Sequence, residues 1–278
     1  MAQCQTPFSK QCEKTGNMLS LPCGKCPECY ARRISAWSFR LRKQGQISET
    51  AHFITLTYNT NTVPISKHGF MTLDKTDIQK FVKRLRKMHT ENTKISYYVC
   101  GEYGTKTKRP HYHAIIFNAD INDIENAWKL NNEPLGDIHC GDVSGASIGY
   151  TLKYMCKPKQ IPQHQNDDRQ KEFSLMSKKL GSNYLTTEMV QWHQNDLLNR
   201  MYVPIEEGKK IAMPRYYKQK IYTDVQRQKI GKHISKITDI ETEKTIKQIG
   251  EHEYFTKQIN TLTKGIKKLQ KTRLTETI

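Results

Sequence analysis

Two runs rich in β-branched and aromatic residues, Ile95–Tyr103 and His111–Phe117, are separated only by the basic turn Gly104-Thr-Lys-Thr-Lys-Arg-Pro110. Residues of this type on either side of a short turn predict a β-hairpin, and a hairpin of that length needs a sheet and a covering layer. His52–Tyr58 has the same character and predicts a third strand; Ile138–Val143 predicts a fourth. Helical patterns fall between them. In residues 74–89 Asp74 can cap, and Ile78, Phe81, Val82 and Leu85 recur at helical spacing. Residues 121–130 and 147–157 predict further helices. A basic helix from Cys26 to about Gly45 sets Ile34, Trp37, Phe39 and Leu41 among Arg32, Arg33, Arg40, Arg42 and Lys43. Strands interleaved with helices imply an antiparallel α+β sandwich with helices packed on a sheet.

The expected organisation is a cysteine-rich segment with the basic helix (1–45), a core (46–160), a mixed extension (161–222) and an amphipathic helical region (223–278). Residues 160–170 read as a polar loop. In the last region Ile230, Ile234 and Ile237, then Ile259, Leu262, Ile266 and Leu269, recur at a spacing that suits pairing with another chain, so self-association through these helices is expected. Charge narrows the partners. The chain has 45 Lys and Arg against 27 Asp and Glu, a formal net charge of +18, and such a field attracts phosphate polymers or anionic membranes. No run approaches the ~20 apolar residues of a membrane span. There is no apolar signal core near Met1. Nucleic acid is the expected partner. Basic and aromatic residues interleave at 178–184 and 208–222, which suits stacking on a single strand.

Five of the eight cysteines, Cys4, Cys12, Cys23, Cys26 and Cys29, crowd into the first 29 residues. Without a secretory signal, such a cluster in a basic chain points to a metal and a reducing cytoplasm rather than to disulfides. Cys23-x-x-Cys26-x-x-Cys29 supplies three thiolates for a structural Zn²⁺, and Cys4 or Cys12 must supply the fourth. Its role would be to fix the helix 30–43 against DNA.

A second metal is expected in the hairpin. Alternation along a strand puts His111 and His113 on one face, where two imidazoles can grip a divalent ion. The pair alone says little, since ten histidines in 278 residues yield one by chance in roughly one chain of three. Glu102 strengthens it. That residue ends the preceding strand, across the turn from His111, so its carboxylate can join the imidazoles. Two nitrogens and one oxygen leave positions for water or phosphate oxygens, as a Mg²⁺ or Mn²⁺ centre needs.

Gly149-Tyr-Thr-Leu-Lys-Tyr-Met-Cys-Lys-Pro158 completes the set. On a helix Tyr150, Lys153, Tyr154 and Lys157 share one face, with Ile148, Leu152, Met155 and Cys156 opposite and free to pack on the sheet. A free phenol, with a pKa near ~10, is a poor nucleophile at neutral pH, and adjacent lysines favour the phenolate and the charge that builds on a phosphorane. Tyrosine attack on a phosphodiester would store the bond energy in a covalent phosphotyrosine, so rejoining needs no ATP.

Phe53-Ile-Thr-Leu-Thr57, His111-Tyr-His113 and Tyr150-Thr-Leu-Lys-Tyr154, in that order, resemble the three motifs of the HUH rolling-circle replication initiators. Pro22-Cys-Gly-Lys-Cys-Pro-Glu-Cys29 before an Arg-rich helix is similar to the initiators of small single-stranded-DNA bacteriophages, microviruses of the gokushovirus type. The resemblance covers residues 20–158. It implies a ferredoxin-like nuclease domain and Mg²⁺ or Mn²⁺ on His111 and His113, with Glu102 the candidate third ligand. It also implies that Tyr150 and Tyr154 alternate as nucleophiles, leaving a 3′-OH that primes a host polymerase. An early cysteine in those phage proteins favours Cys4 as the fourth zinc ligand. Single-stranded origin DNA is the implied substrate, and the cytoplasm of a bacterial host the implied location. No Gly-x-x-x-x-Gly-Lys-Ser/Thr loop is present, so a host helicase is expected. Two other readings stay open: a non-enzymatic zinc-containing nucleic-acid-binding protein, and an HUH transposase or relaxase.

Overall fold

In a computed structural model of the chain, the described residues are 4–11, 13, 16, 18–156, 161–205 and 208–274, with side chains described throughout except at 153–156 and 270–274. The elements in order are β1 (Phe8–Gln11), β2 (Met18–Leu21), α1 (Pro27–Gly45), β3 (Ala51–Thr57), α2 (Lys75–Met88), β4 (Ser96–Tyr103), β5 (Pro110–Phe117) and α3 (Ile121–Ala127). Then follow the two-residue strands β6 (Lys129–Leu130) and β7 (Glu133–Pro134), with β8 (Ile138–Asp142), α4 (Gly145–Cys156) and β9 (Phe173–Met176). The remainder is α5 (Thr187–Asn195), β10 (Tyr202–Pro204), β11 (Lys210–Ala212), α6 (Arg215–Ile221), α7 (Asp224–Ile249) and α8 (Glu251–Leu274). Contacts gather these into two units. One is built on Ser38–Asn183, and the other joins the residues up to Trp37 with Tyr184–Thr272. These limits differ from four consecutive segments, because the beginning of the chain and its last third share one set of contacts.

The Ser38–Asn183 unit is the expected α+β sandwich. Its five strands run antiparallel in the order β8-β3-β5-β4-β9. Period-two alternation divides the sheet's residues cleanly. Ile54, Leu56, Val99, Tyr112, Ala114 and Ile116 face one way and bury against Ile78, Phe81, Val82 and Leu85 of α2, Ile124 of α3, and Trp128. Asp74 caps α2 as its sequence predicts, accepting a hydrogen bond from the Thr76 N–H at 2.7 Å. Behind β5 the hydroxyls of Tyr58 and Tyr112 meet at 2.8 Å; Tyr58 also donates to Asp77 at 2.8 Å, and Tyr112 accepts from the Asp74 N–H at 2.9 Å. This buried network leaves its phenols satisfied and pins β5 to the start of α2.

α4 lies across β4 and β5 on the other face of the sheet, with Ile148, Thr151 and Leu152 buried. The C-terminal half of α1 is anchored by Arg40, whose guanidinium donates twice to the Leu180 carbonyl (3.1 and 2.9 Å). Gly181, at φ +68°, passes so close to the Arg40 backbone that any Cβ would collide with it. The loop leading into β9 is tied down too: Arg169 forms a buried pair with Asp167 at 2.8 Å, while Gln170 lends its carbonyl to the Tyr103 hydroxyl.

The second unit has its own small core. His193 is wholly buried, with Nε2 2.8 Å from the Tyr184 hydroxyl and Nδ1 2.7 Å from the Arg200 carbonyl, and burial holds its pKa below the ordinary histidine value. Tyr217 and Tyr222 fill the space around this pair. The β1–β2 hairpin occupies part of the segment expected to be loop.

Candidate active site

Register decides what can meet on the sheet face below α4. Glu102 on β4 stands directly across from His111 on β5, Cys100 across from His113, and Thr55 on β3 across from His113 on its other side. Alternation then carries Glu102, His111, His113 and Thr55 to one face. Glu102 Oε1 lies 2.8 Å from His111 Nε2 and 3.2 Å from His113 Nε2, and all three residues are buried. The three residues that alternation and the short turn pair in the sequence thus converge in space.

The outer edge of each imidazole is also engaged. His111 Nδ1 is 3.2 Å from the Arg109 carbonyl, and His113 Nδ1 is 3.0 Å from Thr55 Oγ1. If each Nδ1–H donates to its oxygen, each Nε2 lone pair points towards the carboxylate. Burial alone would raise the Glu102 pKa, but hydrogen bonds from both histidines and their charge outweigh it and hold the carboxyl down at about 2. An anionic oxygen and two imidazole nitrogens therefore converge. Neighbouring ligands on an octahedral ion with bonds of ~2.1 Å stand about 3.0 Å apart, so spacings of 2.8 and 3.2 Å fit a Mg²⁺- or Mn²⁺-sized cation.

Tyr150 reaches this triad. Its ring packs edge-on against His113, centroids 5.5 Å apart, and against Phe53 at 6.0 Å. Phe53 in turn lies parallel to His113, 6.1 Å away with the planes 6° apart. The helix was expected to turn Tyr150 to an open face; instead the residue sits half-buried at the margin of the face that Ile148, Thr151 and Leu152 press onto the sheet. Tyr154 and Lys153 belong to α4, but their side chains lie outside the described ones, as do those of Met155 and Cys156. Lys157 lies outside the described residues altogether. Thr55 and Phe53 were visible in the sequence only as part of a motif. What gives them a role is the cross-strand partner His113, which no local pattern announces.

A second cluster belongs to the other unit. The sulfurs of Cys4, Cys23, Cys26 and Cys29 all lie within 4.8 Å of one another, with Cys26 and Cys4 3.9 Å apart and Cys23 and Cys29 4.0 Å apart. A disulfide would need about 2.05 Å. Four sulfurs tetrahedrally placed at ~2.3 Å from one zinc stand about 3.8 Å apart, which these distances match closely. Cys23 Sγ accepts from the backbone N–H of Lys25 (3.3 Å) and Cys26 (3.2 Å) and from the Thr6 hydroxyl (3.2 Å). Burial opposes its ionisation, yet these donors bring its pKa to about 6; at Cys29 burial dominates and pushes the thiol up to about 12. Of the two fourth ligands expected, Cys4 is in place, and Cys12 lies outside the described residues.

Comparison with known proteins gives this geometry a context. Residues 51–159 match the family model of the replication-associated protein ORF2. Replication-associated protein VP4 of Bdellovibrio phage phiMH2K is 27% identical over 228 residues, which is 75% of this chain and 70% of that protein. Replication-associated protein ORF2 of Spiroplasma virus 4 is 26% identical over 220 residues, 73% of this chain and 68% of its own length. Replication-associated protein ORF4 of Chlamydia phage 1 is 29% identical over 132 residues, covering 47% of this chain and 30% of itself. No solved structure matches. The likeness is to replication-associated proteins of small phages, and the stretch matched by the family model contains the whole Glu102–His111–His113–Tyr150 constellation.

Proposed function

We propose that this relative of phage replication-associated proteins is a divalent-metal-dependent endonuclease and strand transferase that nicks single-stranded origin DNA and initiates rolling-circle replication. One observation carries the reading: a buried His–His–Glu triad with the spacing of a small octahedral cation, and a tyrosine ring packed against one of its imidazoles. A non-enzymatic binding protein has no use for an anionic carboxylate buried between two imidazoles.

Glu102, His111 and His113 would hold Mg²⁺ or Mn²⁺, and the cation's contribution is to polarise the scissile phosphate and steady it for in-line attack. The phenolic oxygen of Tyr150 or Tyr154 forms the new bond to phosphorus. The bond from phosphorus to the 3′ oxygen breaks, that oxygen takes up a proton, and the phenol's own proton leaves to solvent. A 5′-phosphotyrosine and a free 3′-OH result. Lys153 and Lys157 would favour the phenolate and offset charge on the phosphorane. Rejoining reverses the step with another 3′-OH as the acceptor, and two tyrosines allow one to cleave while the other still holds DNA.

The four-cysteine cluster would hold a structural Zn²⁺ that braces the start of the basic helix α1 for DNA; its near-tetrahedral sulfur spacing supports this. The +18 charge supplies general affinity for phosphates. A host polymerase would extend the 3′-OH and a host helicase would open the duplex. Among the described residues no helix is long and apolar enough to cross a membrane.

The test is a cleavage assay on single-stranded fragments tiling the cognate genome, with Mn²⁺ or with EDTA. Metal-dependent cutting at one site is expected. DNA binding without cutting in Mn²⁺ would favour the non-enzymatic alternative.

A further inference from the structure

We propose that α8 is the surface through which two copies of this chain associate, as an antiparallel helix pair about a two-fold axis. Phe255, Ile259 and Ile266 are 49%, 62% and 41% exposed. With Leu262 and Leu269 they repeat at intervals of four, three, four and three residues, the seam of a coiled coil. From Glu251 to Thr261 every residue except Tyr254 is exposed. A helix of 24 residues so bare is marginal in water, since helices in proteins draw most of their stability from packing an apolar face. A partner for that face is therefore needed.

The seam selects a copy of itself, and its direction. Rotating α8 by 180° about a point between Asn260 and Thr261 sets Phe255 opposite the second copy's Ile266 and Ile259 opposite its Leu262. The helix is thus palindromic in its apolar positions, and the layers mix the two heptad positions as antiparallel packing requires. Charge agrees. Glu251 and Glu253 lie in the first turn, and Lys264, Lys267 and Lys268 lie in the second half. Antiparallel pairing brings each acidic end to the other copy's basic end and opposes the two helix dipoles; parallel pairing would set like against like. The positions flanking the seam, Thr256, Gln258 and Thr263, carry no charge. On the fourth, Gly265, the lack of a side chain admits the ring of the chain's own Pro27. A phosphate backbone would find no cation beside this stripe, so nucleic acid is not its occupant. Four apolar layers bury less than the roughly 1,200 Å² of a stable complex, so the pair forms reversibly, at micromolar concentrations.

The test uses the full chain in analytical ultracentrifugation across a dilution series reaching tens of micromolar. Wild type is expected to pass from monomer to dimer. Ile259→Lys and Leu262→Glu are each expected to raise the dimer dissociation constant at least about thirtyfold, because each leaves a charge against an apolar side chain. An equimolar mixture of the two variants should recover association, because residue 259 of one copy then meets residue 262 of the other as a Lys–Glu pair; the recovery also shows that both variants are folded. A wild type that stays monomeric, variants that dimerise unchanged, or a mixture no better than its components would each overturn the proposal.

Discussion

Replacing Thr55 with Val removes one oxygen from the site without touching a proposed ligand. That oxygen is 3.0 Å from His113 Nδ1, and His113 is only 2% exposed, so no water can take its place. Losing it frees the ring to hold its proton on the other nitrogen and to turn. Partners of this kind typically contribute 10–100-fold in metal affinity, or about 1.4–2.8 kcal/mol. Mn²⁺ binding measured by calorimetry without DNA should therefore weaken by that factor in Thr55→Val. Thr55→Ser, which keeps the oxygen, should stay within about threefold of wild type. Saturating Mn²⁺ should restore cleavage by Thr55→Val, since the chemistry itself is untouched. Equal affinity for Mn²⁺ in wild type and Thr55→Val would refute the orienting role, while no Mn²⁺ binding by wild type would instead refute the metal site.

Replacing His111 and His113 together with Ala should abolish cleavage of origin DNA while sparing most binding, compared by gel shift and nicking assay. Tyr150→Phe and Tyr154→Phe should each slow cleavage, and the double variant should yield no covalent adduct on a denaturing gel. Tyr112→Phe breaks the network behind β5 and strands the Asp74 N–H, so denaturant unfolding should show a loss of roughly 1–3 kcal/mol with metal affinity little changed. The Glu102 carboxyl ionises more readily folded, at about 2, than its ordinary 4.5. Its stabilising contribution is therefore complete above about pH 4.5 and is lost as pH falls through 2. In metal-free protein the stability gap between wild type and Glu102→Gln, at most about 3 kcal/mol, should shrink over that window in acid titrations followed by circular dichroism.

The parts of the fold that could be read from the sequence were those whose patterns are local. Strands β3, β4, β5 and β8 and helix α2 carry strong periodicity and emerge within a residue or two of their expected limits. β9 was missed because Phe173–Met176 is a four-residue edge strand in polar surroundings, held by its pairing with Tyr98–Gly101 rather than by its own composition. The β1–β2 hairpin was masked by the cysteine spacing around it. The unit containing α5, α6, β10 and β11 stayed opaque because its core is His193 with Tyr184, Tyr217 and Tyr222, amphipathic residues that leave little hydrophobic period. At the site, Glu102, His111 and His113 could be paired from alternation and a short turn. Thr55, Phe53 and the inward lean of Tyr150 depend on register and on how α4 crosses the sheet, which are tertiary facts.

The central claim is that a tyrosine of α4 attacks DNA beside the Glu102–His111–His113 triad. Its most direct test is to incubate the full chain with cognate single-stranded origin DNA and Mn²⁺, digest the product, and locate the nucleotide-bearing peptide by mass spectrometry. The expected mass shift falls on the peptide containing Tyr150 or Tyr154, and only with metal present. An adduct on another residue, or site-specific cutting with no adduct at all, would contradict the mechanism.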